Sequence, residues 1–98
     1  MSLADEFEQH LRAFRRPRTA ESYRYAVDKF EAFLDGGDID PNVLERFARW
    51  MIDAEMSPGT VNLVLVGTRQ YLLWRRRNGE TLPDMHPPPP ARARSVVT

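Results

Sequence analysis

Ninety-eight residues, 42% of them apolar, suffice for one small folded domain, and the absence of cysteine excludes disulfides and thiolate metal sites. No apolar run approaches the ~20 residues that span a bilayer, and the N-terminus lacks the basic-then-apolar pattern of a secretory leader, so the chain reads as cytoplasmic. A formal net charge of zero argues against an overtly basic nucleic-acid binder, although it says nothing about how the charge is distributed.

Four helical stretches follow in order. The first is predicted over about Ser2 to Phe14, with Leu3, Phe7, Leu11 and Phe14 at i, i+4, i+8 and i+11 on one face. Ser2 is its cap, and Arg16-Pro17 stops it, because the residue before proline is pushed out of the helical region. The second runs from about Ala20 to Leu34, with Thr19 as N-cap and Tyr23, Val27, Phe30 and Leu34 on the core face. Gly36-Gly37 ends it. The third runs from about Pro41 to Glu55, with Asp40 as cap, Pro41 in the first helical position and Leu44, Phe47, Ala48 and Met51 apolar. The fourth runs from about Pro58 to Asn78, capped by Ser57 and closed by Gly79. Its inner stripe is Val61, Leu65, Thr68 and Leu72, flanked by Val64 and Tyr71. Leu63, Val66, Leu73 and Trp74 lie on the far side, and a helix apolar nearly all round is either buried or covered by a partner. After Gly79, Pro87 to Pro90 form a short stiff polyproline stretch. The predicted organisation is therefore an all-α four-helix bundle of two helical hairpins over residues 1–79, followed by a Pro-rich linker or tail over 80–98.

No arrangement of residues points to catalysis. His10 and His86 have no second ligand at metal-binding spacing. Gly36-Gly37 is a turn rather than a phosphate loop, and the acidic residues of the third stretch are scattered along a solvated surface. The chain thus presents no catalytic residue, no metal site and no cofactor motif.

Charge is segregated along the sequence. Residues 15–30 carry Arg15, Arg16, Arg18, Arg24 and Lys29 against Glu21 and Asp28. Residues 31–56 carry seven carboxylates against Arg46 and Arg49. Residues 57–79 carry Arg69, Arg75, Arg76 and Arg77 and no acid. On the second helix Arg18, Ser22, Tyr25 and Lys29 share a stripe away from the core face. On the fourth, Asn62, Arg69 and Arg76 recur every seven residues, ~10 Å apart at the helical rise. Such rows can follow a phosphate backbone, but basic stripes are ordinarily plain solvated helix faces.

These residues resemble the N-terminal core-binding, SAM-like domain of tyrosine recombinases of the phage-integrase type. The similarity is carried by Thr19, Tyr23, Val27, Phe30, Phe33 and Leu34 in the second helix and by Ser57, Thr60, Val61, Asn62, Leu65, Arg69, Tyr71, Leu72 and Trp74 in the fourth. It covers residues 3–79. It implies one jaw of a clamp that closes on a recombination site, for DNA integration or recombination, with the second and fourth helices toward double-stranded DNA. The implied DNA-facing set is Arg18, Thr19, Ser22, Arg24, Tyr25, Lys29, Thr60, Asn62, Arg69 and Arg76. The implied partners are DNA, other recombinase protomers, and a catalytic domain that holds the chemistry and is absent from this chain, reached through the linker. One departure is that Leu63, Val64 and Val66 stand where the family often has basic or polar residues. Leu63, Val66, Leu73 and Trp74 are therefore a candidate protein-contact surface, or else are covered by the C-terminal tail. The competing reading is a helical interaction or dimerisation module that touches no DNA.

Overall fold

The computed structural model describes residues 2–85. Among them the chain forms four helices: α1 over Leu3–Phe14, α2 over Pro17–Leu34, α3 over Val43–Asp53 and α4 over Pro58–Arg77. The polyproline stretch at Pro87–Pro90, His86 and the tail 91–98 lie outside the described residues. None of the helices is long and apolar enough to cross a membrane.

Local chemistry accounts for the helix ends. Ser2 and Asp5 form a capping box in which the Asp5 amide donates to Ser2 Oγ at 3.1 Å and the Ser2 amide donates to Asp5 Oδ2 at 3.4 Å. Ser57 caps α4, its Oγ accepting from the Thr60 amide at 3.3 Å. Asp35 and Gly36 end α2 in the left-handed region, with φ of 44° and 79°, where glycine carries no steric penalty.

Two starts differ from expectation. α2 begins at Pro17 rather than after Thr19: Arg16, extended at ψ 148°, is the N-cap residue, and Thr19 sits inside the first turn. The ring of Pro17 pushes Arg16 out of the helical region and so stops α1, while its fixed φ suits the first position of the next helix, so one residue does both. α3 begins at Val43 rather than Pro41. The Asp40 side chain accepts from the Asn42 amide at 2.8 Å, and its carbonyl from the Val43 amide at 3.1 Å. That local turn competes with helix and delays it by a residue pair. α3 also ends two residues early, at Asp53, because Glu55 adopts a left-handed φ of 62°.

The helices pack as two hairpins, α1 with α2 and α3 with α4, and the most extensive contact is between α2 and α4. At their closest approach Gly67 faces Ala26 and Tyr23. A Cβ placed on Gly67 would stand 2.7 Å from the Ala26 Cβ and 3.3 Å from the Tyr23 Cα. The core built around this crossing contains Phe7 and Leu11 of α1, Val27 and Phe30 of α2, Leu44, Phe47, Ala48 and Met51 of α3, and Val61, Leu65, Thr68, Tyr71 and Leu72 of α4. Tyr23 and Leu34 are half-buried at its edge.

Aromatic pairs join the hairpins at both ends. Phe7 meets Tyr71 and Trp74 at centroid distances of 5.3 and 5.4 Å, and Phe47 meets Phe30 and Phe33 at 5.3 and 5.1 Å. The Tyr71 hydroxyl donates to Glu31 at 3.0 Å. Burial, together with the Glu31 charge, raises the Tyr71 pKa well above its ordinary value, so the phenol stays protonated as a donor. Two residues of the expected apolar face of α1 depart from it. Leu3 and Phe14, at its two ends, are 41% and 75% exposed.

Space at two glycines of α4 gives a matched test. Gly67→Ala should lower stability by up to about 2 kcal/mol, because overpacking of ~1–3 kcal/mol is set against the ~1 kcal/mol that alanine gains in helix propensity. Gly59→Ala, with nothing within 4 Å of its would-be Cβ, should be neutral or stabilising by up to ~1 kcal/mol. Urea unfolding midpoints at unchanged m-value check both.

Candidate nucleic-acid interface

The outer row of α2 is laid out as its period requires. Arg18 is exposed and makes no ion pair among the described residues. Ser22 is half-buried, and Tyr25 is 45% exposed. Lys29 Nζ stands 5.6 Å over the Tyr25 ring, so cation and aromatic edge form one unit. Thr19 is half-buried in the first turn of the helix.

Along α4, Asn62 is half-buried, and Arg69 and Arg76 are exposed. Arg69 makes no ion pair among the described residues. Arg76 pairs with Asp84 at 3.2 Å. Both arginines border a small cleft of about 100 Å³ whose other walls are Leu44, Leu72, Leu73 and Met85. Thr60 accepts a hydrogen bond from the Ser57 hydroxyl at 2.8 Å, which ties it to the helix cap. The two rows belong to the pair of helices that cross at Ala26 and Gly67. Tyr25 adjoins Ala26, and Arg69 lies two residues beyond Gly67.

Arg24 is placed differently from the rest of its group. It follows the core residue Tyr23 by one position, which turns it toward α1 rather than outward. Its Nη1 donates to Asp5 at 2.6 Å and to Glu8 at 3.1 Å, and its Nε donates to Asp28 at 2.9 Å. The guanidinium is thus spent on three carboxylates. Its pKa is raised, first by the Asp5 hydrogen bond and then by Asp28, while that of Asp5 is held below the ordinary carboxylate value, chiefly by Arg24 and then by Ser2. Arg24 clamps α1 to α2, and its charge is neutralised within the fold.

The apolar far side of α4 divides in two. Leu63, Val66 and Leu73 are 45%, 47% and 41% exposed. Trp74, expected with them, is instead half-buried. It stacks on Tyr71 at 6.2 Å and packs against Phe7, because α1 occupies that side of the helix.

The segment after α4 holds contacts with no periodic signal in the sequence. Arg75 pairs with Glu80 at 2.5 Å while lying over the Tyr71 ring, and Leu82 and Met85 pack on the core. Residues 80–85, read from sequence as the start of the linker, therefore lie along the domain. The only cue was two apolar residues, Leu82 and Met85, in a stretch otherwise rich in proline and charge.

A family model described as the phage integrase N-terminal SAM-like domain matches residues 4–79. The match begins in the first turn of α1, closes at the glycine that follows α4, and includes both rows. No curated protein and no solved structure matches the chain.

The Arg24 clamp has a pH signature. Arg24→Ala should lower the urea midpoint at neutral pH. A carboxylate whose folded pKa is depressed contributes stability that is present above its unfolded value, near 3.9, and is lost as pH falls through the folded one. The gap between wild type and Arg24→Ala should therefore be constant from about pH 5 to 8 and should narrow below about pH 4.

Proposed function

The chain belongs to the phage-integrase family of N-terminal SAM-like domains, and from that premise we propose that it is the DNA-binding, core-binding domain of a site-specific tyrosine recombinase. The observation that carries the reading is the state of two arginines. Arg18 on α2 and Arg69 on α4 are exposed with no ion pair among the described residues, although the chain as a whole carries as many acids as bases. Each heads or centres a row of groups that suit a phosphate backbone: Ser22, Tyr25 and Lys29 with the first, Asn62 and Arg76 with the second. Arg24 is left out of the proposed contact set because its guanidinium is already occupied by carboxylates. The DNA strand-exchange chemistry belongs, in this reading, to a catalytic domain beyond the linker.

Affinity of this kind comes from displaced counterions, so it is modest and strongly salt-dependent. The exposed strip of Leu63, Val66 and Leu73 favours a second role for α4, contact with another protomer or with the catalytic domain. A sedimentation coefficient that is constant with concentration would remove the protomer from that pair.

Fluorescence anisotropy on a short duplex tests the DNA reading. The logarithm of affinity should fall linearly with the logarithm of salt. Arg69→Ala should weaken binding on every sequence and reduce the slope by about one phosphate equivalent. Equal affinity of wild type and Arg69→Ala at low salt would remove Arg69 from the interface. Absence of duplex binding by the wild type would overturn the reading.

A further inference from the structure

The corner between α1 and α2 carries a feature that the two helical rows do not use. Phe14, the last residue of α1, is 75% exposed, the most of any large apolar side chain among the described residues. Single exposed apolar residues are common and need no explanation, but the surroundings of this one are unusual. Arg15, Arg16 and Arg18 follow it, all exposed, and none makes an ion pair among the described residues.

The ring is also held in place. His10, one turn earlier, lies 5.0 Å from Phe14 at an interplanar angle of 48°. His10 in turn lies 6.2 Å from Trp74, and Trp74 lies 5.4 Å from the buried Phe7. A ladder of rings therefore runs from the core to the surface and ends on an accessible aromatic group, with three unneutralised guanidinium groups within four residues.

We propose that Phe14, with Arg15, Arg16 and Arg18, forms a stacking site for an unpaired nucleobase of single-stranded DNA. An aromatic face takes a planar base of any identity, and guanidinium groups beside it take the phosphates that flank that base. A blunt duplex offers no free base face, so the ligand is a strand with unpaired nucleotides. An apolar protein surface fits less well, because burying three unpaired cations against it would strip their hydration without return. The site does not depend on the α2 and α4 rows binding a duplex, although Arg18 stands at the junction of the two.

The test uses the whole chain and two labelled probes of equal length, an oligothymidylate and a blunt duplex, in anisotropy titrations at the same salt. Phe14→Ala should weaken binding to the single strand on the order of tenfold and leave duplex affinity unchanged. Phe14→Trp, which keeps a stacking face, should retain the strand affinity. Because the side chain is largely exposed, both variants should keep the wild-type circular dichroism and melting. Strand affinity unaffected by Phe14→Ala overturns the proposal, as does an equal loss on strand and duplex. A loss confined to concentration-dependent sedimentation also overturns it, and makes Phe14 a protein contact. Duplex binding without strand binding removes this site and leaves the core-binding reading standing. Phe14-dependent strand binding without duplex binding supports this site and removes the other reading.

Discussion

The close crossing of α2 and α4 is the constraint on which the rest of the domain depends. Gly67 has no side chain and Ala26 has a single methyl, so the two backbones approach until Tyr23 closes over the glycine. Dispersion between tightly packed atoms rewards that approach, and one added methyl group would forfeit it. Tyr71, one turn past Gly67, then reaches Glu31 of α2 with its hydroxyl and Phe7 of α1 with its ring. The same crossing sets the relation between the two rows of polar and basic residues, because each row belongs to one of the crossing helices.

Electrostatics in this chain is decided by pairing rather than by total charge. Fourteen basic and fourteen acidic residues cancel, but they do not cancel locally. Arg24 takes up Asp5, Glu8 and Asp28 at the seam of the first hairpin, Arg46 takes up Asp40, and Arg75 and Arg76 take up Glu80 and Asp84 beyond α4. Among the described residues the cations that make no ion pair are Arg15, Arg16 and Arg18 at the α1–α2 corner, Lys29 on α2, Arg49 on α3, and Arg69 and Arg77 on α4. Exposed pairs such as Arg76 with Asp84 contribute little stability. Their effect is to set which cations remain available for a partner.

Much of this could be read from residue spacing. Four helices, their order, the inner faces of α3 and α4, and the caps at Ser2 and Ser57 follow from 3.6-residue periodicity and from the hydrogen-bonding habits of serine, proline and glycine. Two helix starts did not follow. At Pro17 and at Asp40 a proline and a carboxylate each had two competing local uses, and the outcome turned on backbone geometry within three residues. Phe14 illustrates the converse problem. Its period matched the buried Phe7 and Leu11, yet it lies at the end of the helix, where the chain turns away and leaves it largely uncovered.

The sequence by itself determined which way each side chain points from its own helix, since that depends only on the helical repeat. Hence the outward Arg18–Lys29 and Asn62–Arg76 rows and the inward core were both legible. Only the tertiary structure decided what stands opposite each side chain. Arg24 and Arg18 look alike as neighbours in a basic segment, but α1 brings Asp5 and Glu8 to one and leaves the other open. Trp74 and Leu73 are adjacent on the apolar side of α4, but α1 covers the first and exposes the second. The physical reason is that pairing and burial depend on residues distant in sequence, which meet only when α1 packs against α2 and α4.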